Sequence, residues 1–306
     1  MTPSSAKAVI EQHLSSISPE TFTELAFFGG SFTAIKRENM IALLETAAPY
    51  LHSGQVHQIR VSTRPDAIDD EVLSLLAAYG VKTVELGIQS MSDRVLSACN
   101  RGHNANDSYR AAERILHHGL TLGGQMMIGL PSSTPKDEEE TARAIADMGA
   151  KEARIYPTVV FEHTVLADQT RQGLYLPLTV EDAVARTVMP LDILLQNDVK
   201  LLRIGLCETD GLRDGTTVLG GAHHPAMGEL CYNALYLHRI SDLLRSMAPP
   251  KHSTVIITVA PGRLSMAIGQ KRRNLLTLQE EIGIRLRFAE DPTLSGFAVG
   301  GDLISR

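Results

Sequence analysis

From Glu24 to Pro157 short β-type runs alternate with helical patterns at intervals of roughly 25 to 40 residues. This is the rhythm of βα units, and it confines that part of the chain to an α/β fold built on a parallel sheet. The runs are Glu24–Phe28, His57–Val61, Thr83–Gly87, Thr121–Met127 and Glu152–Tyr156. Between them, apolar positions recur at helical spacing: Ile41, Leu44 and Ala48 on one segment, Val72, Leu75, Leu76 and Tyr79 on the next. Asp69, Thr134 before Pro135, and Thr179 are suited to start helices, because their side-chain oxygens can accept from otherwise unpaired first-turn N–H groups. Beyond Pro157 the pattern is mixed: a long helix from about Thr179 to Gln196, a short strand Leu201–Ile204, a glycine-rich loop and a helix from about Ala226 to Leu244.

With 306 residues, 43% hydrophobic and 21% charged, the chain has enough apolar material for a large core. No apolar run reaches the roughly 20 residues that span a bilayer. The start lacks a basic region followed by an apolar core, so the reading is a cytoplasmic protein with no membrane partner. The three cysteines, Cys99, Cys207 and Cys231, are too far apart for a disulfide framework or a metal motif, and each reads as a small buried residue. Residues 251–306 hold eight Lys/Arg against five Asp/Glu in a chain of net charge -6, which hints at an anionic partner for the tail.

Chemistry in such sheets gathers where strands end. After the first run comes Phe28-Gly29-Gly30-Ser31-Phe32-Thr33, where paired glycines let a ligand approach the backbone, or make a tight turn. The second ends in Ser62-Thr63-Arg64-Pro65-Asp66, too polar for a core. The third, Glu85-Leu86-Gly87-Ile88-Gln89-Ser90, places Glu85, Gly87 and Gln89 on one face by period two. There Glu85 needs a donor, either a ligand or Arg64. Asn100-Arg101-Gly102-His103 follows in a loop, and Met126-Met127-Ile128-Gly129-Leu130-Pro131 closes the fourth strand with side chains suited to an adenine face or to core filling.

In this order and spacing, these motifs over roughly Glu24 to Glu229 resemble the radical S-adenosylmethionine (radical SAM) superfamily, in particular the bacterial group related to the radical SAM domain of the Elongator catalytic subunit. The resemblance implies a partial (β/α)6-type barrel lacking its first strand over residues 1–200, and a barrel-closing extension over 201–250. It implies that Gly29, Gly30, Ser31, Phe32 and Thr33 bind the methionine end of S-adenosylmethionine, that Ser62, Thr63, Arg64, Glu85 and Gln89 line its ribose and carboxylate, and that Met127, Gly129 and Leu130 cradle adenine. It further implies a [4Fe-4S] cluster that cleaves S-adenosylmethionine reductively to a 5′-deoxyadenosyl radical, with an electron donor such as flavodoxin or ferredoxin.

The family holds that cluster with a Cys-x3-Cys-x2-Cys loop, and no such loop occurs in this sequence. The expectation is therefore an amino-terminal piece of several tens of residues missing through a late-assigned start or a truncation, or a family member without its cluster. No catalytic residue and no metal ligand is assigned. His223, His224 and Glu229 are read as a satisfied loop rather than a metal site.

The tail, residues 251–306, looks like a KH-type RNA-binding unit: a β run Val255–Val259, a helical stretch Leu264–Ile268, Gly269-Gln270-Lys271-Arg272-Arg273, a helix to about Ile282, and a strand Ile284–Phe288. In such units a Gly-x-x-Gly loop clamps a nucleic-acid backbone, which points to Gly269, Lys271, Arg272 and Arg273, with Arg272 standing where the second glycine would be. The favoured function is a radical SAM enzyme acting on RNA, a tRNA base. The alternatives are a non-enzymatic RNA-binding scaffold and a radical SAM enzyme on a small molecule.

Overall fold

The computed structural model describes residues 1–207, 212 and 216–304. Two compact units divide the chain, one of residues 1–156 and 193–202, the other of residues 157–192 and 203–306.

The first unit carries a parallel half-barrel sheet. Its strands are β1 (Glu24–Phe27), β2 (Gln58–Thr63), β3 (Val81–Gln89), β4 (Thr121–Ile128), β5 (Glu152–Pro157) and β7 (Lys200–Ile204), in the spatial order β1-β2-β3-β4-β5-β7. The sequence expectation holds to within three residues at each strand end. The short strand near Leu201 takes the sixth place in this sheet. Helix α1 (Pro3–Leu14) precedes β1, and α2 (Arg37–His52), α3 (Asp70–Ala78), α4 (Asp93–Ala98), α5 (Ala105–His117) and α6 (Pro135–Asp147) connect the strands. The caps foreseen at Asp69 and Thr134 are made: Asp69 Oδ1 accepts from Val72 N–H at 2.7 Å, and Thr134 and Asp137 cap each other.

Alternation sorts the sheet into two faces. Leu25, Phe27, Ile59, Val61, Val84, Leu86, Ile88, Leu122, Met126, Ala153 and Ile155 fall on one, and nearly all are buried. Each large side chain among them contributes about 1.5–3 kcal/mol by leaving water. The other face carries Glu24, Arg60, Glu85, Gln125, Glu152 and Arg154.

In the second unit, β6 (Val159–Phe161) pairs antiparallel with β8 (Val218–Gly221) beside α7 (Val165–Arg171). A strand therefore occupies part of what reads as a glycine-rich loop. Gly221, at φ +101°, is required there, since a Cβ would stand 2.6 Å from Thr158 O. The chain continues through α8 (Val180–Gln196) and α9 (Met227–Met247) to β9 (Thr254–Val259), α10 (Leu264–Ile268), α11 (Arg273–Ile282), β10 (Arg285–Glu290) and β11 (Val299–Ile304). β10 runs parallel to β9 and β11 antiparallel to it, giving a three-stranded sheet over a core that includes Tyr236, Ile240, Val255, Ile257, Leu275 and Leu278. β11 lies beyond the last strand that the sequence pattern predicts.

The cysteines correct another expectation, since only Cys231 is buried, with its thiol pushed up to about 12 by that burial. Cys207 is exposed, and Cys99 is half-buried at the end of α4. Among the described residues no helix is long and apolar enough to cross a membrane.

Candidate functional site

The floor of the half-barrel is an ionic layer. Arg60 Nη1 lies 2.7 Å from Glu85 and 2.7 Å from Glu152, and its Nε donates to Glu24 at 2.8 Å. Arg154 Nε and Gln125 Nε2 donate to the second Glu85 oxygen at 2.8 and 2.7 Å. Gly123 makes room, because a Cβ there would stand 2.9 Å from Glu85 Cγ. Burial pushes the Glu85 carboxyl up, but the donors from Arg154, Gln125 and Arg60 outweigh it and hold the group below its usual range.

This layer corrects the reading of Glu85. Its partners are Arg60 and Arg154; Arg64 instead pairs with Asp66 at 2.9 Å. The signal that could have found them is the polar alternation Gln58, Arg60, Ser62 and Glu152, Arg154, Tyr156, which requires the strand register to be read.

Above the floor the strand ends converge. β1 runs into Phe28, whose exposed ring stands 5.0 Å from the Arg154 guanidinium carbon, and then into Gly29 and Gly30. Gly29 has φ +96°, and neither glycine would have any atom within 4 Å of an added Cβ, so the space above this backbone is open. Phe32 stacks on Phe27 at 4.6 Å between ring centres. Thr33 Oγ1 donates to Ala67 O at 2.6 Å and lies 2.5 Å from Thr63 Oγ1, which locks the glycine turn, with Ser31 at its head, to the end of β2. Ser62 Oγ accepts from Gln125 Nε2 at 3.2 Å and so joins the floor to the rim.

At the end of β3 the register slips between Gly87 and Gln89, and Gln89 adopts φ +67°. This bulge takes Gln89 out of simple alternation with Glu85 and Gly87. Its side chain folds back so that an added Gly87 Cβ would stand 2.8 Å from Nε2. Gln89 is 8% exposed, and among the described residues its Oε1 has no hydrogen-bond partner. A buried acceptor left open costs about 1–3 kcal/mol, which a ligand donor would recover.

β4 delivers a buried Met126 and a half-buried Met127, then Gly129 at φ +78° and a buried Leu130. Gly129 N–H donates to Glu138 Oε1 at 2.7 Å, and Arg94 bridges Ser132 O and Asp137. Burial would push the Asp137 carboxyl up, but bonds from Thr134, Ser92 and Arg94 hold it down. The loop after β4 is thus clamped by the first turn of α6.

An open glycine cradle, an unpartnered buried amide oxygen and adjacent hydroxyls fit a ligand with an amine, a ribose and a flat base, as S-adenosylmethionine has. The cluster does not fit this chain's residues. Its three cysteines are widely spaced, and among the described residues no three His, Cys, Asp or Glu are grouped to hold a metal, His223, His224 and Glu229 included.

In the tail, Gly269 has φ +80°, and a Cβ would stand 2.9 Å from Asn274 Cγ. Buried Asn274 donates Nδ2 to Asn233 O at 2.8 Å and to Ala267 O at 3.1 Å, pinning the turn. Lys271 and Arg272 have φ +51° and +64°, so Arg272 adopts the left-handed backbone that a glycine takes readily. Lys271, Arg272 and Arg273 are exposed.

Residues 6–145 match the family model described as the Radical SAM superfamily, and residues 150–237 that of the Radical_SAM C-terminal domain. The chain is 27% identical over 188 residues to a tRNA uridine(34) acetyltransferase of Methanocaldococcus jannaschii, covering 59% of this chain and 33% of that protein. It is 30% identical over 156 residues to an uncharacterized protein of the same organism, covering 50% and 48%. Among solved structures, the archaeal Methanocaldococcus infernus Elp3 with an N-terminus deletion is similar at a TM-score of 0.66 and 22% identity, covering 82% of this chain and 66% of that one. The chain therefore spans about a third to a half of the curated relatives it matches.

Proposed function

Because the chain belongs to the radical SAM superfamily, we propose that it binds S-adenosylmethionine at the carboxyl ends of β1 to β4 and acts on RNA in the cytoplasm, with tRNA as the favoured target. The observation that carries the cofactor reading is the open space above Gly29 and Gly30 together with the unpartnered Oε1 of buried Gln89. In this reading Gly29, Gly30, Ser31, Phe32 and Thr33 receive the methionine end, and Ser62, Thr63, Arg64 and Gln89 receive carboxylate and ribose. The backbone from Met127 to Leu130 takes adenine. Glu85 acts from below, as the anchor of Arg154 and Gln125, so the floor stays rigid while the rim binds. Bound S-adenosylmethionine supplies an activated carbon–sulfur bond, and the protein orients that bond and excludes water from it. These residues do not provide the thiolates of an iron–sulfur cluster.

The RNA reading rests on the three exposed cations of the Lys271–Arg273 turn and on relatives that modify tRNA. The three-part division at residues 200 and 250 belongs to the same proposal: a cofactor barrel, a closing extension and an RNA-holding tail.

Calorimetric titration of the 306-residue chain with S-adenosylmethionine tests the cofactor reading. Saturable binding to the wild type, weakened at least tenfold in Gly30→Val, is expected. A Val at residue 30 has free space and an ordinary φ, so the fold tolerates it while the ligand does not. Equal binding by the two proteins would sink the assignment.

A further inference from the structure

The Asn100–His103 loop carries a charge that neither the cradle nor the floor uses. Asn100, at φ +52°, ends α4, and Arg101 N–H donates to Leu96 O at 2.9 Å. Buried His103 places Nε2 3.2 Å from Ile88 O, which ties the loop to β3 one residue before Gln89. An added Gly102 Cβ would stand 3.2 Å from Asp66 Oδ2, so the loop also lies against the turn after β2. Asp66 in turn holds Arg64 at 2.9 Å. Arg101 itself has no ion pair among the described residues. Arg101 is exposed, and its loop is held against Asp66 and the end of β3, so the side chain starts from the same strand ends.

The turn after β2 thus has a paired guanidinium, Arg64, and against it lies a loop that carries an unpaired one, Arg101. The nearby imidazole of His103 adds no charge at neutral pH, because burial holds its pKa below 6.5. An exposed guanidinium with no ion pair among the described residues is free to turn its fork of donors to a tetrahedral anion in two-pronged contact. S-adenosylmethionine brings only one carboxylate, and Ser62, Thr63 and Arg64 already stand where the cradle would receive it.

We infer that Arg101, backed by Arg64, forms an anion subsite on the substrate side of the cradle that takes a phosphate group. The inference deepens the proposed function and rests on its reading of the cradle, with the phosphate belonging to the RNA substrate.

The test titrates inorganic pyrophosphate, S-adenosylmethionine and a single-stranded RNA oligonucleotide separately into wild type, Arg101→Gln and Arg101→Lys. Pyrophosphate binding should fall at least tenfold in R101Q and partly recover in R101K. S-adenosylmethionine binding and the thermal midpoint should not change. The salt dependence of RNA binding should lose about one unit of slope in R101Q. The subsite is overturned if the wild type binds no pyrophosphate, if R101Q binds it undiminished, or if R101Q loses S-adenosylmethionine tenfold, which would make Arg101 a cofactor ligand. A wild type that binds pyrophosphate but no RNA would sink the RNA reading and leave the subsite standing.

Discussion

Arg60 and Glu85 meet at 2.7 Å with 3% and 1% of their side chains exposed, so neither charge has water to fall back on. Arg60→Met should cost about 3–5 kcal/mol, because it strands Glu85, Glu24 and Glu152 around a single remaining guanidinium. Urea unfolding measures this as a lower midpoint at constant slope. Adding Glu85→Gln should recover part of the loss. An R60M protein as stable as the wild type would show that the floor does not hold the half-barrel.

Gln89 combines a left-handed backbone with a buried oxygen that lacks a partner. Gln89→Met removes the open acceptor, so the ligand-free protein should gain about 1 kcal/mol. The same change should weaken S-adenosylmethionine binding at least tenfold. Paired thermal melts with and without ligand check both halves, and tight binding by Q89M would remove Gln89 from the site.

Acid should weaken the first unit in two stages. Burial holds the folded His103 ring below 6.5, whereas the unfolded imidazole takes its proton near 6.5. The unfolded state then binds more protons, so this contribution is complete above pH 6.5 and is lost as pH falls toward the folded value. Glu85, held below its ordinary 4.5, adds a second loss on further acidification. His103→Gln keeps a donor for Ile88 O and should flatten the first stage only, as read from urea midpoints against pH.

Gly269→Ala forces a Cβ against Asn274 at φ +80° and should cost about 1–3 kcal/mol. Gly283→Ala, at φ +72° with free space, is the milder control. Neutralising Arg272 or Arg273 should leave stability alone and lower the salt slope of RNA binding by about one unit each. An unchanged slope would argue that the turn does not touch nucleic acid.

The βα rhythm was legible because buried strands of a parallel sheet read as apolar runs, and the helix starts because Asp69 and Thr134 are the residues that cap. Three features were not legible. β8 and β11 contain Gly220-Gly221 and Gly300-Gly301, and paired glycines read as turns unless the opposing strand that needs their small size is known. Glu85 was visible as a buried carboxylate, but its partners sit 25 residues before it and 69 after, a pairing fixed by register alone. The bulge at Gln89 is likewise set by neighbouring strands, and nothing in Gly87-Ile88-Gln89 announces it.

The floor of three carboxylates and two guanidiniums also constrains inheritance. Loss of Arg60 or Arg154 alone adds to the one surplus negative charge of this layer, and loss of Glu85 leaves both guanidiniums without a shared partner, whereas a matched loss of one guanidinium and one carboxylate leaves the balance unchanged. These five positions should therefore drift in concert or stand still, while the rim above them stays free to exchange one ligand for another.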